Sequence, residues 1–420
     1  MSHNVIGKRF PRIDAALQVT GKSVYSCDLA FPGMLFAKAL RSKHAHARIL
    51  KVDTSKAEKL AGVKAVLTAR DFPENRFGTY RDQPVLADDK VRYLGDAVAV
   101  VAATSWDAAE EALGLIQVDY EPLPGVFDPE EAMSPGAPKV HGESNIAAHI
   151  KNRFGDIEQG WKESDVIVEE TIKTAMVEHV SLEPHVAVAK VDDCGELLVM
   201  SSAQRPHNYA ATLAEVMQMP MHKIRFATPA VGAGFGGKND ITIEPYIAML
   251  AIKTGKPVKM TYSREEEFQV STVRAVYILN YKSGLKKDGT LVARQLELIG
   301  DSGPYVSSGY GAIDKACLQG AGPYRVPHVK TDGYLVYTNN PLGGSWRGLG
   351  ANQTNFAYEV HMDTIAAEMG MDPMELRLKN LIVENSQLPT GQVLKVVTLT
   401  KCLEQAVQLA GWKKKEVKVR

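Results

Sequence analysis

The stretch Val231-Gly232-Ala233-Gly234-Phe235-Gly236-Gly237-Lys238-Asn239-Asp240 carries two glycine patterns at once. Gly232, Gly237 and Lys238 spell GxxxxGK, while Gly232, Gly234 and Gly237 spell GxGxxG. Both exploit one idea: glycines remove side chains so that successive backbone N–H groups can close around an anion. A magnesium-nucleotide loop needs Ser or Thr after its lysine, and Asn239 occupies that place. A dinucleotide loop needs its first glycine at a strand end and an acidic residue about 20 positions on. Here Pro229 intervenes, and the nearest acidic candidate at a strand end, Glu265, lies 28 residues beyond Gly237. Phe235 would also crowd a phosphate. These residues disfavour a nucleotide and leave a plain structural turn as the simplest local account.

Three further stretches could do chemistry. Glu178, His179, Glu183 and His185 mix imidazoles with carboxylates, and on an extended chain the last three share one face. Their spacing matches no zinc signature, so structural pairing is the better expectation. Gln204, ahead of Arg205-Pro206-His207, follows a strand-like run and can donate an amide hydrogen bond into a site. In Trp346-Arg347-Gly348-Leu349-Gly350 the glycines let a guanidinium approach an anionic ligand, although a turn with a surface arginine fits the same residues. There is no Ser/His/Asp triad, and no basic stripe interleaved with aromatics that would mark a nucleic-acid groove.

The elements that must position these residues are legible in outline. Residues 224–228 read as a strand, Ile243, Tyr246, Ile247, Leu250 and Ala251 recur at helical spacing before the Gly255-Lys256-Pro257 stop, and 258–262 read as a strand again. Upstream, 94–103 and 115–120 are strands flanking a helix capped by Ser105, so the first 125 residues look like a self-contained α/β unit. Residues 121–138 hold five prolines and two glycines, the density of a linker. A larger unit begins near 151, with strands at 166–175, 187–191 and 197–201. Residues 355–369 are amphipathic and stop at Gly370; Asp372, Pro373 and Glu375 then supply the N-cap, first and third positions of another helix. Residues 413–420 form a basic tail.

At 420 residues two or three domains are expected. A formal net charge of +0, from 49 basic and 49 acidic residues, argues against nucleic acid or anionic lipid as a partner. The first 30 residues show no apolar leader, and the run at 97–103 is too short to span a bilayer, so a cytoplasmic protein is expected. Cys27, Cys194, Cys317 and Cys402 show no CxxC spacing and are expected as buried small apolar groups rather than disulfides or metal ligands.

Taken in order, these segments resemble the molybdenum-containing subunit of the xanthine dehydrogenase family, the molybdenum hydroxylases. RIDAALQVTGKSVYSCDLAFPGMLFAKALRSKHAHARI, GVKAVLTARDFP and YLGDAVAVVAA resemble the family's a/b hammerhead domain; HVSLEPHVAVA, SSAQRPH, VGAGFGGKND, SWRGLGANQ and YEVHMDTIAAEMGMDPMELRLKN follow in the family's order, covering about residues 6–410. The fold implied is mixed α+β and α/β. It comprises a hammerhead domain over 1–125, a Pro/Gly-rich linker over 126–150, the first molybdopterin-binding domain over 151–390, and a C-terminal helix with the basic tail over 391–420. The resemblance places Gln204, Gly234, Phe235, Gly236 and Arg347 at the cofactor. Gln204, the Phe235 main-chain amide and Arg347 form the molybdenum environment, and the pterin's dithiolene holds the metal, so no protein thiolate is required.

The implied activity is hydroxylation of an aromatic N-heterocycle with water-derived oxygen, most closely that of the members converting nicotinate to 6-hydroxynicotinate. Purine and aldehyde oxidation by the same chemistry are the alternatives, and a nucleotide-binding or non-catalytic assembly subunit is the outside one. Relatives acting on carbon monoxide place a cysteine before the arginine, whereas Gly343-Gly344-Ser345-Trp346 stands here. Lys315 falls where purine-oxidising relatives place a substrate-facing arginine. The family's general base is a glutamate in a Gly-Glu pair well beyond the arginine loop; Gly142-Glu143 and Gly195-Glu196, the only such pairs, precede the cofactor loop. No catalytic residue is therefore expected in this chain. The base is expected on a second molybdopterin subunit, with [2Fe-2S] clusters and FAD on iron–sulfur and FAD subunits. The implied cofactor is molybdopterin cytosine dinucleotide, with a sulfido or selenido ligand on molybdenum.

Overall fold

A computed structural model describes residues 4–413. Two sheets organise it. The first has seven strands: β1 (Leu35–Arg41), β2 (Val63–Thr68), β3 (Ala97–Ala103), and then, from the second half of the chain, β4 to β7. These are β4 (Val186–Val191), β5 (Leu197–Ser201), β6 (Ile224–Ala227) and β7 (Val258–Thr261), and the spatial order is β6-β5-β4-β7-β1-β3-β2. Every residue of β3 is buried, which explains its unbroken Ala/Val sequence: a strand covered on both faces shows no alternation.

The seam of this sheet joins strands from either side of the boundary expected near residue 125. β1 runs parallel to β7, with Leu35 opposite Val258 and Ala37 opposite Met260. The first 125 residues therefore share their largest sheet with the second half of the chain and keep only smaller sheets to themselves. The strand following the Ser105-capped helix, Gln117–Pro122, leaves β3 altogether and pairs with Ala47–Asp53 in a separate sheet. Strand propensity and spacing specify that a run is extended, but not which neighbour satisfies its N–H and C=O groups.

The second sheet has five strands in the order Val166–Lys173, Tyr277–Leu285, Leu291–Gly303, His328–Tyr337, Ile146–Phe154. Its last strand starts inside the stretch expected as a linker. The prolines before it form no loose connection either: Val126 exchanges hydrogen bonds with Asn339, and Val126, Ala132 and Val140 are buried in this sheet's core. Proline density marked broken secondary structure correctly, but packing fixes the segment. The amphipathic helix begins earlier than expected, as Ala351–Glu368, because its first turn is polar. Asp372 caps the following helix, Pro373–Asn380, as expected, and residues 414–420 of the basic tail lie outside the described residues. Only Cys317 is buried; Cys27, Cys194 and Cys402 are exposed, on the short 3-10 helix Ser26–Asp28, in a turn and on the open face of Leu399–Ala410 respectively. No helix among the described residues is long and apolar enough to cross a membrane.

Asp96 ties the two sheets together. Its carboxylate accepts hydrogen bonds from the Tyr305 hydroxyl at 2.7 Å and the Arg92 N–H at 3.0 Å, and burial pushes its pKa up to about 6. A carboxyl group that holds its proton more tightly folded than unfolded favours the fold at acid pH. That contribution declines as pH rises from the usual carboxylate range to about 6, and is constant above it. The Asp96→Asn variant is therefore expected to show a flatter stability profile between pH 4 and 6 than the wild type in urea titrations. An unchanged profile would remove Asp96 from the account.

Candidate cofactor site

The glycine-rich stretch leaves β6 and turns into the helix Glu244–Thr254, which ends where Gly255 adopts φ 63°. Between them the loop is held from below by the segment 178–185, whose acids and imidazoles each find a partner. Glu183 Oε2 accepts from the Gly232 N–H at 2.9 Å and from Lys238 Nζ at 2.7 Å, so one oxygen pins the loop near both of its ends. His185 faces acceptors on both nitrogens: Nδ1 meets Glu267 at 2.9 Å and Nε2 meets the Gly237 carbonyl at 3.1 Å. Burial by itself would lower the pKa of His185, yet Glu267 more than offsets this and the pKa lies above its ordinary value, so an imidazolium can donate to both acceptors. His179 Nε2 donates to the Ser345 carbonyl at 2.7 Å, fastening the arginine loop to the same segment. The four residues are thus committed to pairing, as their spacing led one to expect.

Lys238 is 2% exposed and turned inward onto Glu183, so it cannot meet a phosphate in the loop's mouth. This excludes the GxxxxGK reading on geometry. The glycines make room for protein rather than for a nucleotide. A Cβ on Gly234 would lie 2.5 Å from Gln204 Oε1, and one on Gly236, whose φ is +109°, would lie 2.6 Å from the Ser345 carbonyl oxygen.

Gln204 stands between β5 and the helix Pro206–Met217. Its Oε1 accepts from the N–H groups of Gly236 at 2.9 Å and Lys238 at 3.3 Å, and two backbone donors on one end fix which way the amide points. The opposite end, its NH2, therefore faces away from the loop and donates to nothing among the described residues. Phe235 adopts φ 51°, a strained conformation for a bulky residue, and its N–H also lacks an acceptor among them. From the other side comes Arg347, exposed, with no partner for its guanidinium among the described residues. A relay closes the assembly: the Ser345 N–H donates to Ser308 Oγ at 2.7 Å, and Ser308 Oγ donates to Asp240 at 2.7 Å.

Gln204, Phe235, Gly236, Asn239, Trp346 and Arg347 line one cavity of about 400 Å3. Gly234 lies behind it against Gln204. The tertiary structure thus brings together the residues that the sequence had placed at a common site. Lys315, half-buried on the helix Gly309–Gln319, does not line the cavity. Sequence reasoning missed the fastening role of Glu183 and His179. The alternation of acid and imidazole was visible, but the partners lie over 50 and 160 residues away.

The donor set indicates what such a cavity suits. Its walls carry unpartnered hydrogen-bond donors from Gln204, Phe235 and Arg347, and no cysteine, histidine or carboxylate side chain that could ligate a metal. Among the described residues no cluster of three or more such groups forms a metal site. A metal held here must bring its own anionic ligands and present oxygen atoms to the protein. The residues fit a pterin-bound metal in that sense.

Comparison with known proteins agrees with the geometry. Residues 20–124 match the aldehyde oxidase and xanthine dehydrogenase a/b hammerhead domain, and residues 140–381 match the molybdopterin cofactor-binding domain. The chain belongs to the xanthine dehydrogenase and aldehyde oxidase family of molybdenum-dependent oxidoreductases. It is 40% identical to the nicotinate dehydrogenase large molybdopterin subunit of Eubacterium barkeri, over 98% of this chain and 99% of that one. It is 39% identical to a probable xanthine dehydrogenase subunit of Bacillus subtilis, covering 96% of this chain and 55% of that protein. Among solved structures, the aldehyde oxidoreductase of Desulfovibrio gigas superposes with a TM-score of 0.90 at 32% identity, over 96% of this chain and 46% of that one. The chain thus spans about half the length of the last two.

Proposed function

We propose that this chain is the molybdopterin-binding half of a heteromeric hydroxylase that acts on an electron-poor aromatic N-heterocycle, converting nicotinate to 6-hydroxynicotinate. The observation that carries the reading is the convergence of three acceptor-free donors, from Gln204, Phe235 and Arg347, on one cavity. Similarity over nearly the whole length of a nicotinate dehydrogenase subunit supports the substrate.

The molybdenum cofactor, as a cytosine dinucleotide with a sulfido or selenido ligand, supplies two-electron oxidation and oxygen transfer. The chain's own residues bind and orient. The Gln204 NH2 and the Phe235 N–H hold oxygen atoms of the bound group, and they act strongly because the loop beneath them is already fixed and need not reorganise. Arg347 offers a planar cation to an anionic portion of cofactor or substrate. Gly234 and Gly236 let the loop approach Gln204 and Ser345. No carboxylate lines the cavity, which supports assigning the proton acceptor to a glutamate of a second molybdopterin subunit. Iron–sulfur and FAD subunits then carry electrons away, in a cytoplasmic complex. The absence of a cysteine from Gly343 to Trp346 argues against carbon monoxide as substrate.

Purine oxidation is the second reading, favoured by the 39% identity to the Bacillus subtilis protein. Purifying the native complex decides between them. Stoichiometric molybdenum and faster turnover of nicotinate than of hypoxanthine or benzaldehyde are expected. Preference for hypoxanthine would replace the substrate, and a complex without molybdenum would overturn the reading.

A further inference from the structure

A second cavity, of about 350 Å3, is lined by Lys173, Thr174, Arg274, Asn352, Gln353 and Phe356. It adjoins the cofactor cavity through Trp346, because the Arg274 guanidinium lies 4.7 Å from the centroid of that indole ring. Arg274 is the anomaly. Its Nε is buried with no hydrogen-bond partner, and the guanidinium makes no ion pair among the described residues. Burial lowers its pKa with no carboxylate to oppose the shift. The neighbouring charges are already committed: Lys173 pairs with Glu130 at 3.0 Å, and Glu178 accepts from Ser271 Oγ at 3.1 Å.

The rest of the lining points the same way. The helix Ala351–Glu368 starts at Gly350 without a side-chain cap, so the first-turn N–H groups of Asn352 and Gln353 add a positive end to the same pocket. Stacking on Trp346 is the contact that the half-buried guanidinium makes, and an indole ring brings no counter-charge and no acceptor for the enclosed Nε. A fold that keeps this cation ready, with donors around it, is built to receive an anion.

We infer that the pocket receives an Asp or Glu side chain of the polypeptide that completes the cofactor cavity, with an apolar neighbour of that residue covering Phe356. Three observations select a polypeptide carboxylate over a free anion. Phe356 is 54% exposed at the pocket, and an inorganic anion cannot cover a phenyl ring. Arg274 of this pocket packs against Trp346 of the cofactor cavity, so the two openings are neighbours on one surface and a chain that closes one reaches the other. This chain also spans only 55% of the Bacillus subtilis relative, leaving a second half of the fold to be packed somewhere. The inference rests on the preceding reading that a second polypeptide completes the site. Its consequence is coupling: the incoming carboxylate holds Arg274, Arg274 holds Trp346, and Trp346 sets the position of the loop that bears Arg347.

The test uses the native complex and two variants. In Arg274→Lys, a carbodiimide converts an ion pair at position 274 into an isopeptide bond with loss of water, and peptide mass spectrometry locates it. The expected result is a cross-link, absent from the wild type, between position 274 and an Asp or Glu of the partner chain. In Arg274→Met, subunit association is expected to weaken roughly tenfold at low salt and to lose most of its salt dependence, with the melting temperature of the separate chain preserved or raised. Cross-links confined to this chain, or none in an intact complex, would overturn the inference, as would undiminished association of Arg274→Met. So would stabilisation of the separate wild-type chain, but not of Arg274→Met, by inorganic phosphate. A molybdenum-replete complex that fails these tests removes only the docking pocket; a complex without molybdenum removes the proposed function.

Discussion

Replacing Lys238 by methionine is expected to lower the stability of the chain by about 3–5 kcal/mol, the usual penalty for removing one partner of a buried ion pair. Glu183 would remain, 8% exposed, with the Gly232 N–H as its single donor and with its second oxygen already unpartnered. The penalty belongs to the stranded carboxylate rather than to the lost ammonium. Adding Glu183→Gln to Lys238→Met should therefore restore most of the loss, because a neutral amide still accepts from Gly232 and needs no counter-ion. Urea unfolding of the two single variants and the double variant measures the coupling. If Lys238→Met alone is neutral, Lys238 does not fasten the loop. Under the phosphate-loop reading the same substitution would spare folding and abolish nucleotide binding.

The second large effect is expected at Gln204, in the assembled enzyme. Gln204→Glu keeps the oxygen that accepts from Gly236 and Lys238, and replaces the free NH2 with an acceptor. The loop should hold its shape, molybdenum content should stay near that of the wild type, and kcat should fall by about 10²–10³, the typical effect of removing one preorganised donor. The fall should appear in kcat more than in KM, because a donor aimed at charge that develops during the reaction contributes little to the ground state. Gln204→Ala removes both functions and is expected to lose cofactor as well. Full activity in a molybdenum-replete Gln204→Glu enzyme would remove Gln204 from the proposed chemistry.

The sequence by itself determined the local elements and the identity of the family. Gly255 stops a helix because it alone tolerates a left-handed turn without strain. Ser105 and Asp372 start helices because their side chains accept from the first free N–H groups. The unbroken apolar run of β3 required burial on both faces. Motif order was enough to bring Gln204, Phe235 and Arg347 under one heading before any geometry was known.

Tertiary structure alone decided the pairings. Nothing within residues 35–41 names Val258 as the neighbour of Leu35, so the sheet that joins the two halves could not be read from either. The lysine of a phosphate-loop pattern became an internal counter-charge because Glu183, 55 residues upstream, lies beneath it. Nothing in the sequence sets Arg274 apart, and only the fold shows that it meets no ion-pair partner among the described residues. Local propensity acts over a few residues. Ion pairs, sheet register and unmatched charges depend on contacts between segments far apart in the chain, and only the folded molecule specifies those.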